Sequence, residues 1–464
     1  MRKMKLGLAV LLAVSAIGLV IIFYGCASTV IAPVSTTTVS TTTTTLYKRS
    51  WGTAVRISEG AGTTGFPGGV VLDNSGNAIA VWPQIDGIGV DSIYANRYVT
   101  DSGWGTPELI ESGSGIALSP QIAVDGSGNA IVVWQQADGA GINSIYANRY
   151  VAGSGWGTPE LIESGSGTAE GSSIAMDSGG NAIAVWDQDD GTGVWSIYAN
   201  RYVAGSGWGT ETAIESDDLN AGSPMIAVDS SGNAVAVWEE NAGENDETRN
   251  NYSIHANGYA AGSGWGAAAD IGIGTVTGEV NSNRVAMDES GNAIAVWAQS
   301  DGTVFNIYSN TYDPGTGWGT AKTLENDPYD AYAPDIAFDG MGNAIAVWQQ
   351  SDGMRSNVWA KQYFYGVWET GMTNIQSDPR DSYGPQIAVN VSGEAVVVWI
   401  TAPSLLVWSS RFTSGSWEAS QEIDSGTIIN GRHQIAINNN GDAVAIWMHA
   451  IAVEQSQIWA NMYR

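Results

Sequence analysis

One phrase returns eight times along this chain. In its second copy it reads Pro120-Gln121-Ile122-Ala123-Val124-Asp125, a Gly126-Ser127-Gly128 turn, then Asn129-Ala130-Ile131-Val132-Val133-Trp134. The closing tryptophan falls at Trp82, Trp134, Trp186, Trp238, Trp297, Trp348, Trp399 and Trp447, at spacings of 52, 52, 52, 59, 51, 51 and 48 residues. A unit of this size with several short strands cannot bury its apolar faces alone, but copies stacked around an axis can. The repeat therefore predicts an all-β fold, an eight-bladed β-propeller with four strands per blade.

In the second copy, strand A is expected over 122–124, strand B over 129–134 and strand C over 144–150. Strand D is expected from Trp156 through residue 162. Strand B is apolar at successive positions, as in Ala78-Ile79-Ala80-Val81-Trp82. A strand that is apolar on both faces is buried on both faces. The chain opens with a lone D-type strand at 51–57 and ends in a C-type strand at 457–463. The first should complete the last blade and leave no open edge.

The phrase Pro-x-Ile-Ala-Val-Asp-x-x-Gly-Asn resembles the opening of NHL-type and SBBP-type bacterial propeller repeats over strands A and B. The tryptophan that ends strand B and the Tyr-Ala-Asn-Arg-Tyr strand C lie outside that pattern. The resemblance implies blade topology and leaves function open, since such repeats host many binding roles.

The sole cysteine is Cys26. Arg2, Lys3 and Lys5 precede an apolar run over 6–24 that ends Phe23-Tyr24-Gly25-Cys26. This reads as a secretory signal over 1–25. Gly25-Cys26 resembles the lipobox of bacterial lipoproteins, which implies lipidation at Cys26. The alternative is an uncleaved signal anchor, because the run is long enough to span a bilayer. Either reading places the propeller, residues 51–464, outside the cytoplasm and attached to a membrane in the cell envelope. Residues 26–50 form a Ser/Thr-rich tether whose roughly 20 residues reach at most about 65 Å. Net charge is −29, which opposes nucleic-acid binding and suits cations or basic partners.

The chain carries 20 tryptophans. Those ending strand B read as core. Those beginning strand D read as packing between rims, or as platforms for sugars. Trp195 alone falls outside the repeat, in an expected B–C loop where its counterparts are Asp91 and Asn143. The aspartates before the A–B turn, Asp73 to Asp339, superficially resemble a calcium loop. Asn390 and Asn438 replace them in the last two blades, which favours a turn over a metal. No cofactor is expected; calcium is the alternative. Blade four has the longest insertion, an acidic stretch from Glu239 that includes Glu244, Asp246 and Glu247.

Little points to catalysis. His433 and His449 could approach each other, but they lack an evident third partner. The repeated Arg97, Arg149 and Arg201 fall on strand C, away from the axis. The expectation is a non-catalytic extracytoplasmic binding scaffold for a protein or glycan, with Trp195, Glu244, Asp246 and Glu247 as ligand contacts on the acidic B–C/D–A face. The alternatives are a lectin or carbohydrate-active propeller, and an envelope-assembly lipoprotein. If Cys26 carries the lipid, Cys26→Ser should move the protein from membrane to soluble fractions or leave its signal uncleaved. Unchanged membrane retention, with no lipid on the wild-type N-terminus, would favour the signal anchor.

Overall fold

The computed structural model describes residues 49–464 except 61–62, 86–88, 190, 216–218, 242–251, 274–278, 425–431 and 453–454, together with residues 14–15 and 18–19. Residues 1–48 and 49–464 are separate units. In the first, Val14–Ser15 pairs with Gly18–Leu19; Cys26 and the tether over 26–48 lie outside the described residues. Among the described residues no helix is long and apolar enough to cross a membrane.

Residues 49–464 form eight antiparallel sheets, each in the order A–B–C–D. In blade two the strands are Ala117–Val124, Ala130–Ala137, Asn143–Val151 and a D strand in two pieces, Gly155–Trp156 and Glu160–Leu161. The A strands touch one another in a closed circle, with His433–Ile437 against Gly69–Leu72 at the join.

Strands A and D differ most from expectation, and strand B runs past its tryptophan to Ala137. Strand A begins five residues earlier than 122, at Ala117, and carries a bulge opposite Val133 and Gln135. The bulge residue has positive φ in six blades: Ser119, Gly171, Ser223, Ser282, Ala333 and Gly384. A bulge bends the strand and re-aims the side chains beside it, and a mostly non-glycine bulge gives no glycine signal in the sequence. Strand D is interrupted after Gly157, whose N–H still donates to Arg149 O at 2.8 Å. Both pieces still pair with strand C, Trp156 opposite Tyr150 and Leu161 opposite Tyr146.

The core lies between blades. Trp134, Ala130 and Val132 of blade two pack on Ile79, Val81, Ile93 and Ala95 of blade one. The alanines face the larger residues of the neighbour, so adjacent sheets can approach closely. All eight strand-B tryptophans are fully buried. Each removes about 150–250 Å² from water, about 4–6 kcal/mol gross at about 25 cal/mol/Å². In the first six blades the indole N–H is satisfied in the same interface, whereas those of Trp399 and Trp447 have no partner among the described residues. Trp134 Nε1 donates to Gln136 Oε1 at 3.0 Å, and Gln136 Nε2 donates to Glu111 Oε2 of blade one at 2.9 Å.

The aspartate ladder builds turns. Asp125 Oδ1 accepts the N–H groups of Ser127 and Asn129 at 2.8 and 2.9 Å, and Oδ2 accepts Asn129 Nδ2 at 2.7 Å. Oδ2 also abuts the next blade's turn: a Cβ on Gly180, whose φ is +80°, would lie 3.0 Å from it. Glycine is needed there for both conformation and space. In blades seven and eight the carboxylate changes place. Asn390 Oδ1 accepts from Ser392 and Glu394 N–H at 3.0 Å, while its amide donates to Glu394 Oε2 at 3.0 Å. Asn438 and Asp442 repeat the exchange.

The strand-D tryptophans are half-buried and pack on the aromatic residue of their own strand C. Trp156 meets Tyr150 edge-on at 5.4 Å, and the contact recurs from Tyr98–Trp104 to Phe412–Trp417. Strand-C arginines reach across blades: Arg97, Arg149 and Arg201 lie over Tyr150, Tyr202 and Tyr259 at 5.5, 5.8 and 6.0 Å.

The ring closes as expected. Val55–Arg56 pairs with Ala460 and Trp459 of the final strand. Gly52 N–H donates to Met462 O and Ile57 N–H to Ile458 O, both at 2.8 Å. Trp51 packs edge-on against Tyr463 at 5.6 Å. Deleting 51–57 removes buried Ala54 and Ile57 and uncovers the C strand of blade eight. The melting temperature should fall by at least about 5 °C and the protein should self-associate through the bared edge. A monodisperse deletion variant with unchanged melting would contradict closure by this strand.

Candidate functional site

Each blade alternates direction, so B–C turns and D–A connections share one face. Many of the acids expected there are used by the fold. Asp138 Oδ1 accepts Ala140 and Ile142 N–H at 2.7 and 3.0 Å. Hydrogen bonds from the Thr303 hydroxyl and the Val304 and Thr303 N–H groups hold Asp301 down to about 2. The Arg355 and Met354 N–H groups hold Asp352 below the usual carboxylate range. Asp330 and Asp381 clamp neighbouring blades, accepting the N–H of Phe305 and Ser356 at 2.9 and 2.8 Å. Glu244, Asp246 and Glu247 lie outside the described residues.

Trp195 is placed differently from the expected loop position. It is the first residue of strand C of blade three, Trp195–Val203, paired with Asp189. Its N–H donates to Asn220 Oδ1 of blade four at 3.0 Å, the clamp that Asp330 and Asp381 form elsewhere. The indole is half-exposed. Similarly, Glu239, Glu240 and Asn241 belong to strand B of blade four, Ala234–Asn241, and are buried. Strand pairing continues past the tryptophan in every blade, and this takes the first three residues of the acidic stretch out of the loop.

Between blades three and four lies a cleft of about 500 Å³ lined by Glu170, Asp187, Trp195, Gly222, Glu239 and Tyr252, among others. Its opening has a local cause. Gly222 occupies the position held by Leu118, Glu170, Asn281, Tyr332 and Tyr383 in five other blades. Blade one has Gly65 there, where an added Cβ would meet Pro83 at 2.6 Å. A Cβ on Gly222 would meet nothing within 4 Å. Blades six and seven place tyrosines where this blade leaves space.

Polarity in the cleft is also exceptional. The residue after the strand-B tryptophan is Pro83, Gln135, Ala298, Gln349, Ile400 or Met448 elsewhere, but Asp187 and Glu239 here. In blade six, Gln349 Oε1 accepts the bulge N–H of Gly384 at 2.7 Å. Asp187 takes the corresponding bond from Ser223 N–H. Burial, and secondly the charge of Glu170, push Asp187 up to about 7, against the hydrogen bond from Ser223. In blade four, Glu240 and His255 replace the glutamine and tyrosine used in blades one to three. Trp238 Nε1 donates to Glu240 Oε2 at 2.8 Å, and His255 Nδ1 lies 2.9 Å from Glu240 Oε1.

The sequence singled out Trp195 but missed Glu170, Asp187, Gly222 and Tyr252 as its companions. Part of the signal was available when the repeats are superposed: Glu170 and Asp187 depart from their counterparts, whereas Gly222 shares its type with Gly65, and Tyr252 is one of three aromatics at its position with Trp195 and Phe305. The other expected features do not join this site. His433 is buried and its Nε2 lies 3.1 Å from Val398 O. Burial pushes it down to about 4, so it is neutral near pH 7. His449 packs edge-on against Trp459. Among the described residues no three His, Cys, Asp or Glu side chains cluster to hold a metal.

No family model matches the chain, and no curated protein matches it. Solved structures share the architecture. The BP39L lectin from Burkholderia pseudomallei matches with a TM-score of 0.50 and 11% identity over 78% of this chain and 99% of the lectin. The polysaccharide lyase Uly1 matches with a TM-score of 0.50 and 9% identity over 79% and 93% of the two chains. The Hadza microbial sialidase Hz136 is 14% identical over 62% of this chain at a TM-score of 0.40, and the match spans 63% of the sialidase. At these identities the likeness establishes the propeller fold alone.

A carboxyl whose folded pKa, about 7, exceeds its usual 3.8 binds its proton more tightly in the native state. Its contribution to stability is intact below pH about 4 and is lost as pH rises through about 7. Asp187→Asn should therefore be more stable than wild type at pH 8.5, by about 1–3 kcal/mol, with the difference vanishing toward pH 4. Urea unfolding at both pH values measures it. Equal stability at pH 8.5 would show that Asp187 ionises freely.

Proposed function

We propose that the chain is a binding scaffold, attached to a membrane outside the cytoplasm, that takes a glycan in the cleft between blades three and four. The observation that carries the reading is the opening at Gly222, flanked by Trp195 and Tyr252 and by three carboxylates that other blades do not place there. Aromatic rings offer an apolar face to sugar C–H groups, and carboxylates accept sugar hydroxyls. A concave site with a few convergent polar groups on a rigid scaffold suits small-ligand binding. The matched lectin and polysaccharide lyase indicate that this architecture accommodates carbohydrate recognition.

One observation favours a second, catalytic reading. Asp187, pushed up to about 7 beside Glu170, is poised to give or take a proton near neutrality. That reading requires bond cleavage in a bound oligosaccharide that Asp187→Asn abolishes while binding persists.

The binding proposal is tested with a glycan array followed by calorimetry on the best oligosaccharide. Trp195→Ala should weaken binding at least tenfold. Gly222→Tyr should block the cleft while preserving the fold, since Tyr332 and Tyr383 occupy the same position in blades six and seven. Binding that survives both changes would place the ligand elsewhere.

A further inference from the structure

The opposite rim, formed by A–B and C–D turns, carries an apolar patch confined to blades six and seven. Tyr365 is 86% exposed, Met341 79% and Val367 65%, with Phe364 and Val391 also exposed. The residues fall in two adjoining groups, tied where Tyr365 N–H donates to Asn343 Oδ1 at 3.5 Å. The rings of Phe364 and Tyr365 lie 4.3 Å apart, and Phe364 pairs with Val367 across the hairpin. Gly340, next to Met341, donates its N–H to Val391 O at 3.2 Å.

The blade does not need these residues. Met341 stands where other blades have Ser75, Ser127, Ser231, Ser290 and Ser392. Val391 stands where they have Asn74, Ser178, Ser230 and Asn439. Blade seven makes the same tight C–D hairpin as Thr413-Ser414-Gly415-Ser416, with Ser414 and Gly415 at positive φ as Tyr365 and Gly366 are. A bulky tyrosine in that left-handed position is unfavourable, and its side chain gains no burial in return.

The patch shares its rim with the point where the N-terminal segment joins the ring. Arg49 faces Asp442 of the blade-eight A–B turn at 3.7 Å, and Tyr463 Oη donates to Arg49 O at 3.1 Å. The turns of blades seven and eight are themselves joined, with Val391 N–H directed at Asn439 Oδ1 at 3.4 Å. Residue 49 is preceded by 48 residues that contain the apolar run over 6–24. The cleft opens on the other face.

We infer that the patch formed by Met341, Phe364, Tyr365, Val367 and Val391 docks on the interfacial layer of a lipid bilayer. Aromatic and aliphatic side chains on a hairpin tip suit that layer. A net charge of −29 directs the contact to zwitterionic headgroups rather than anionic ones. Combined with the proposed N-terminal attachment, on which this orientation rests, docking turns the glycan cleft away from the membrane.

The test uses residues 49–464, a closed ring that contains its own sealing strand and lacks any anchor. Flotation with millimolar phosphatidylcholine vesicles is compared with a variant carrying Met341→Ser, Phe364→Thr, Tyr365→Ser, Val367→Ser and Val391→Asn. Each replacement is used by another blade, and circular dichroism verifies the fold. The wild-type ring should float and the variant should partition at least tenfold less. Failure of the wild type to float, or equal flotation of both, overturns the proposal. So does a concentration-dependent dimer in sedimentation that the substitutions abolish, since the occupant is then a second copy. Because no anchor is present, these outcomes are independent of the fate of Cys26.

Discussion

The tryptophan that ends each strand B is buried against the preceding blade, and no blade carries a complete core of its own. Everything else in the ring follows from that sharing. In the first six blades the indole N–H finds its acceptor inside the interface, on a glutamine two residues on in five of them and on Glu240 in blade four. In several interfaces a glutamate from the neighbouring strand D holds that glutamine in turn. In the first six blades the aspartate of the A–B turn presses on the next blade's glycine. Strand-C arginines cover the next blade's tyrosine. Stability is thus spread over nearest-neighbour contacts, as in other repeat architectures. Closing the circle gives the first and last blades the same partners as the rest.

A scaffold of this kind makes function readable as deviation. Where Gly222 of blade four faces Trp195 of blade three, and neutral residues give way to Asp187 of blade three and Glu239 of blade four, packing needs none of the changes. Where blade four exchanges Gln and Tyr for Glu240 and His255, the change is paired: an acid enters with a base 2.9 Å away. That pair keeps the indole of Trp238 satisfied.

The period, the blade count and the sealing strand were legible because each depends on spacing and strand order alone. The turn role of Asp125 was legible because Asn390 and Asn438 substitute for its homologues. The bulge in strand A was not, since Ser119, Ser223 and Ala333 adopt positive φ without a glycine to announce it. Nor was the placement of Trp195 at a strand's start, because continuation of the ladder past Trp186 is decided by pairing across the sheet. The cleft companions were hidden for a related reason. Glu170, Asp187 and Gly222 are separated in sequence and meet only once two blades are set side by side. Of the acidic expectation, Asp138, Asp301 and Asp352 are consumed by turns, a use that charge counting cannot separate from ligand binding.

The exchange of carboxylate and amide in blades seven and eight has a mechanical side. In blades two to five the turn acid is buried beneath its neighbour, but Glu394 and Asp442 lie partly open beside Arg411 and Arg49, 3.9 and 3.7 Å away. Arg49 continues directly into the sealing strand. Tension along the N-terminal segment therefore arrives first at the Arg49–Asp442 contact and the short ladder behind it. The seam is where this ring meets a pull, and its outermost clasp is ionic, so its grip loosens as salt rises.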